Sequence, residues 1–280
     1  MKIFGHPKGI LALALVAGAA GIGTAASAQD TGLEAATDTS IPSDWSLSGN
    51  VGFVTDYRFR GISFSDENLA VQGGLDIAHS SGFYLGTWAS SLGGYGTYGG
   101  PNLEVDLYGG YGGSLGGVGT YDIGVIYYLY PGGAGNNDYI EFYGSLGAEV
   151  GPFAATVGTA WNPDQDSLGG DNIYVYGDLG TDIPGTPFSL AGHLGYSNGS
   201  MGFGGSGIAP DGTFASYDDD YLDWSVGVST ELFGLSLGLT YLDTNISKTR
   251  ENVVGTRVTG GSGDPYVADD QLVASLGYSF

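Results

Sequence analysis

Ten acidic residues share one phase of an alternating pattern that runs through most of this 280-residue chain: Asp56, Asp76, Glu104, Asp106, Asp122, Glu141, Glu149, Asp178, Asp223 and Glu231. In the same phase the only basic residues of the strands are Arg58 and Arg60. If that phase lines enclosed water, low-dielectric walls carrying one sign of charge gather cations and turn anions away. An ordinary solvated face would show the same acidity. The stretch DYRFRG sets Arg58 and Arg60 beside Asp56, with Asp76 on the hairpin partner. That arrangement suits a structural ion-pair ladder, or a constriction in which arginine facing carboxylates sets a transverse field.

Other chemistry finds little support. Hydrolysis by a serine needs a Ser-His pair held by a third polar group, and beyond the leader the chain has only His79, near a tight turn, and His193, in the inward phase. Neither catalysis nor a cofactor is expected. DQDSLGGD (Asp164 to Asp171) has Leu168 at a calcium-ligand position and Val175 where the bidentate Glu should stand, so it reads as a polar loop and no metal site is expected. YDDDYLD (Tyr217 to Asp223) reads as a solvated loop entering a strand, and GGYGTYGG (Gly93 to Gly100) as a low-complexity loop. The formal charge of −23 argues against nucleic acid, whose phosphates reward Lys and Arg.

The elements that must carry the acidic phase are strands. From Trp45 onward no segment has the apolar period of a helix, whereas period-two runs recur about every 20 residues. Twelve strands are predicted, near 45–60, 68–79, 82–92, 102–112, 118–130, 138–150, 152–162, 172–182, 187–197, 220–232, 233–243 and 268–280. In Trp224 to Tyr241 one phase supplies Trp224, Val226, Val228, Leu235, Leu237 and Leu239, and the other supplies Ser225, Gly227, Ser229, Glu231, Ser236 and Gly238. Gly, Ser and carboxylates cannot pack a dry core but line water well. The apolar face is therefore expected outside. Short and long connections alternate around the domain, which places all tight turns at one end and all long loops, including Ser197 to Asp219 and Thr244 to Val267, at the other. A transmembrane antiparallel up-and-down β-barrel of about twelve strands has these features.

Outward aromatics support that reading. Phe153, Phe188 and Phe233 follow tight turns, and Trp161, Tyr196 and Tyr241 come eight residues later in the same phase. At a rise of about 3.3 Å per residue and a tilt near 40°, the two rings lie roughly 20 Å apart along the membrane normal, near the ~25 Å apolar band of such barrels. Trp45 and Phe83 extend the turn-side girdle, and Trp224 faces lipid with them. A preference of aromatics for strands accounts for their presence but not for the shared spacing. The chain ends in Leu276, Tyr278 and Phe280 at alternate positions, the form of the terminal signal that barrel assembly machinery reads. At the other end Lys2, Lys8, the apolar run Ile10 to Gly23 and Ala26-Ser27-Ala28 make residues 1–28 a secretory signal peptide, and 29–44 a polar lead-in to the barrel of 45–280.

VTDYRFRGISFSDENLAVQGGLDI (Val54 to Ile77), SGFYLGTWASSL (Ser81 to Leu92) and LEVDLYGGYGG (Leu103 to Gly113) resemble the TorF-family porins of proteobacteria. The resemblance implies an outer-membrane barrel and supplies neither substrate nor catalytic residue. The expectation is thus a porin-like channel in a Gram-negative outer membrane, passing small hydrophilic solutes or ions with a cation preference, in contact with outer-membrane lipids and lipopolysaccharide. The alternative is a non-conducting structural or adhesive barrel plugged by its long loops, where Lys248, Arg250 and Arg257 could contact surface phosphates or a partner.

Overall fold

The alternating runs close on themselves. A computed structural model describes Pro42 and residues 44–93, 100–117, 119–258 and 267–280. The signal peptide and all of the lead-in except Pro42 and Asp44 lie outside the described residues. In chain order the strands are β1 (Trp45–Val54), β2 (Arg58–Phe59), β3 (Ile62–Ser63), β4 (Ala70–His79), β5 (Phe83–Ser91), β6 (Leu103–Ser114), β7 (Thr120–Leu129), β8 (Tyr139–Val150), β9 (Phe153–Gln165), β10 (Gly170–Asp182), β11 (Phe188–Gly199), β12 (Gly205–Ile208), β13 (Phe214–Tyr217), β14 (Asp220–Leu232), β15 (Leu235–Thr244) and β16 (Gln271–Ser279). One helix, α1 (Lys248–Val258), precedes the last strand.

Twelve of these strands form a closed antiparallel barrel in which each pairs with its neighbours in the chain and β1 pairs with β16. This is the expected up-and-down topology. β2 with β3 and β12 with β13 make two small hairpins outside the wall. Closure leaves no unpaired edge, so every wall amide can find a partner across the ladder without water.

Alternation decides what each face meets. Leu222, Val226, Leu232, Leu235, Leu237, Leu239 and Tyr241 stand exposed on the outer surface, while Asp223, Tyr221 and Leu242 of the opposite phase are buried within. The same sorting runs around the cylinder, from Leu47, Val51 and Phe53 on β1 to Leu272 and Leu276 on β16. A continuous apolar exterior of this kind is costly in water and suits hydrocarbon. Among the described residues no helix is long and apolar enough to cross a membrane, which says nothing of a β-barrel.

Tight turns join β4 to β5, β6 to β7, β8 to β9, β10 to β11 and β14 to β15, all at one end. The opposite end carries 55–69, 92–93 with 100–102, 130–138, 166–169, 200–219, and 245–258 with 267–270. Two details differ from the sequence reading. The polar run NPDQDSLGGD is mostly wall: β9 continues to Gln165 and β10 starts at Gly170, leaving four residues between them. The Gln165 amide sustains this extension by accepting from Ile140 N at 2.8 Å and donating to Ile140 O at 3.0 Å, so a side chain replaces a missing ladder rung. Phe233 sits in a turn at φ +54° rather than on a strand.

A larger difference concerns the first strand. β1 stops at Val54, and Asp56 to Ser65 leaves the wall and folds inward as the β2–β3 hairpin. Its tip is Arg60-Gly61, both at positive φ (50° and 82°), the signature of a tight hairpin turn. Gly61 is required here, because a Cβ would lie 2.5 Å from Thr244 Cγ2 and 3.0 Å from Asp223 Cβ on the wall.

Candidate functional site

Tyr57, Phe59, Ile62 and Phe64 of the inserted hairpin are all buried, in one cluster with wall residues Tyr108, Ile126, Tyr128, Leu242 and Val273. The tip touches opposite sides of the cylinder. Tyr57 packs edge-on against Trp88 of β5 with ring centroids 5.4 Å apart, and Phe59 against Tyr128 of β7 at 6.0 Å. Across the lumen Tyr221 of β14 donates to Arg60 O at 2.9 Å. The half of the barrel nearer the long loops is therefore filled.

Two arginines secure the insertion. Arg58 donates through Nε to Asp56 and through Nη1 to the carbonyls of Gly61 (3.1 Å), Val267 (2.8 Å) and Asp269 (3.0 Å). Asp56 also accepts from Ser63 Oγ at 2.6 Å and Ser65 Oγ at 3.0 Å, so the carboxylate is satisfied inside the hairpin. Arg60 reaches Glu141 on β8 and lies 4.3 Å from the ring centroid of Tyr174 on β10. Both guanidinium groups are inside, but on a separate loop and not on the first strand, since a wall residue could not cross to both sides.

The remaining acids of the inward phase fall into two zones. Near the long loops Glu104 accepts from Tyr57 at 2.8 Å and Glu141 from Tyr128 at 3.1 Å. Asp106 is also buried there, and its Oδ1 has no hydrogen-bond partner among the described residues. Nearer the turns, Asp76 accepts from Tyr108, and Asp122 from Tyr84 at 2.8 Å. His193 bridges two acids, with Nδ1 at 2.6 Å from Asp178 and Nε2 at 3.1 Å from Asp223. Tyr174 Oη lies 2.8 Å from the same Nε2. His193 is thus spent on carboxylates and a phenol, with no serine hydroxyl among its hydrogen-bond partners. Glu149 and Glu231 stand exposed at the turn-side rim.

Sequence reasoning gave the inward tyrosines no role. Tyr84, Tyr143 and Tyr176 face inward and lie across glycines of neighbouring strands. A Cβ on Gly110, Gly124 or Gly158 would come within 2.5 Å of the ring over it. The signal was available: a Tyr in the acidic phase, opposed across the ladder by Gly, has no lipid to face. Trp45, Phe83, Phe153, Trp161, Phe188, Tyr196 and Tyr241 do stand on the outer surface, and Trp224 lies in their phase half-exposed. Leu276, Tyr278 and Phe280 face outward on and just after β16, and Phe280 exchanges two backbone hydrogen bonds of 2.9 Å with Gly49.

The long loops close over the filled end. Arg250 of α1 donates to the carbonyls of Phe203, Gly202, Asp218 and Asp220 at 2.6–3.0 Å, so it is committed internally and does not reach a surface phosphate. Lys248 is exposed and paired with Asp269 at 2.6 Å; the Arg257 side chain lies outside the described set. Glu251, fully buried, accepts from Ala268 N at 2.7 Å, and burial pushes its carboxyl up to about 7. Among the described residues no three acidic or imidazole groups converge as a metal site requires.

A family model described as a bacterial protein of unknown function (Gcw_chp) matches residues 38–280. No curated protein matches the sequence. Among solved structures, a KdgM porin superposes with a TM-score of 0.52 at 8% identity, covering 83% of this chain and 99% of that one. A KdgM porin in complex with disordered oligogalacturonate gives 0.50 at 8% identity, covering 84% and 98%. At such identity the likeness is one of fold.

Proposed function

We propose, for a chain that belongs to the Gcw_chp family of bacterial proteins of unknown function, that it is a porin-like channel of the Gram-negative outer membrane, passing small hydrophilic solutes or ions with a preference for cations. One observation carries the reading: a closed twelve-stranded cylinder, apolar outside and lined inside by carboxylates and tyrosine hydroxyls, whose inserted hairpin fills only the half nearer the long loops. Asp76, Asp122 and Asp178 line the turn-side half, and Arg60 facing Glu141 forms the neck. The TorF-type resemblance of Val54 to Gly113 points the same way. Export by a cleaved leader, recognition of Leu276, Tyr278 and Phe280 by the assembly machinery, and contact with lipopolysaccharide belong to this reading.

The test is reconstitution in planar bilayers under a salt gradient. Discrete current steps with a reversal potential of cation-selective sign are expected. A folded barrel that passes no current at any voltage sinks the proposal. The second reading, a non-conducting plugged barrel, is favoured by the buried aromatic cluster around the hairpin. It differs from the first in requiring that current appear only after residues 57–64 are replaced by Gly and Ser.

A further inference from the structure

Arg60 is a cation that the barrel has already bound. Its guanidinium sits over the rings of Tyr174 and Phe59, 4.3 and 4.7 Å from their centroids, and donates to Glu141. Aromatic faces with one carboxylate are the surroundings that hold a planar organic cation out of water.

The same two ingredients recur toward the tight turns without a cation among them. The phenol ends of Tyr84 and Tyr143 lie over Gly110 and Gly124, so closely that a Cβ on either glycine would stand 2.3 Å from the hydroxyl oxygen, and both side chains stay partly exposed inside the barrel. Their hydroxyls meet, and that of Tyr84 also donates to Asp122. Tyr108 does the same for Asp76. Among the described residues neither Asp76 nor Asp122 takes part in an ion pair, and His193 is already shared by two carboxylates. A small hard metal ion asks for a cage of several oxygens, which this wall does not assemble. A flat ring beside a single acid suits a soft, delocalised charge.

We propose that the solutes selected by this lumen are small organic cations bearing a guanidinium or ammonium group, held against the Tyr84–Tyr143 pair beside Asp122, with Arg60 as the chain's own stand-in for them at the neck. The transport role of this site rests on the channel reading, but binding to it does not require conduction.

The experiment compares methylguanidinium with methylurea, a neutral molecule of the same shape, by ligand-observed NMR on the folded barrel in micelles. Methylguanidinium is expected to bind saturably and methylurea at least tenfold more weakly. Asp122→Asn, which keeps the acceptor for Tyr84, weakens methylguanidinium at least fivefold, and Tyr143→Leu does the same by removing a face. Folding of each variant is checked by its resistance to detergent without heating. Equal binding of the two probes, or binding indifferent to both substitutions in folded protein, overturns the proposal. Currents without methylguanidinium binding overturn it while leaving the channel reading intact; binding without currents does the reverse.

Discussion

The guanidinium of Arg60 and the carboxylate of Glu141 meet inside the barrel across 81 residues of sequence, each almost wholly removed from solvent. A pair so enclosed is held in register by what each partner would lose alone. Removing one member of a buried pair strands the other and costs about 3–5 kcal/mol. Arg60→Ala and Glu141→Ala should each lower the urea midpoint of the detergent-folded barrel accordingly, and the double variant should cost clearly less than the two together. Additive losses would show that the pair is not coupled.

Glycine positions under tyrosine rings should be intolerant in a graded way. A Cβ on Gly124 would stand 2.3 Å from Tyr143 Oη, whereas one on Gly180, also in a barrel strand, would find its nearest atom 3.8 Å away. Overpacking costs about 1–3 kcal/mol, so Gly124→Ala should destabilise by that amount. Gly180→Ala should be neutral or gain up to about 1 kcal/mol, since glycine pays more backbone entropy on folding. Denaturant midpoints decide it, and equal effects would refute the assignment of rings to glycines.

The loop assembly should tighten in acid. Below the ordinary Glu value of 4.5 the Glu251 carboxyl is neutral in both folded and unfolded chains and contributes nothing. As pH rises from there to about 7 the folded protein keeps a proton that the unfolded chain releases, so docking of α1 weakens; above about 7 the penalty is constant. Amide exchange of residues 200–220 and 267–269 should accelerate across that interval beyond the intrinsic pH effect, and Glu251→Gln should remove the excess. An unchanged slope in the variant would refute the role of Glu251.

Tryptophan reports on the two faces directly. Trp161 and Trp224 lie on the outer phase and Trp88 on the inner, against Tyr57. In single-tryptophan variants, brominated lipids should quench Trp161 and Trp224 and leave Trp88 bright. Quenching of Trp88 alone would invert the barrel.

The wall was legible because lipid and water impose opposite demands on alternate residues. Every one of the twelve strands between Trp45 and Phe280 obeys that contrast, and strand number and loop sorting follow. The inserted hairpin was not legible in the same way, because Asp56 to Phe59 continues the alternation of β1 and nothing in a period tells whether a chain proceeds along the wall or departs from it. The clue lay beyond, in Ile62 and Phe64: a loop that carries Tyr57, Phe59, Ile62 and Phe64 within eight residues cannot stay in water. The partners of the inward acids were hidden for a different reason. Which hydroxyl reaches Asp122 or Asp76 depends on ring direction across two strands, and no spacing in the chain encodes it.

Val51 opposite Tyr278 and Gly49 bonded to Phe280 mean that the seam of the cylinder is sewn by β1 on one side and by β16 with the residue just after it on the other. Until β16 docks, β1 has nothing to close against, and two raw edges remain open to other chains. A polypeptide cut before β16 would be an unfinished ribbon with nowhere to put its final stitch.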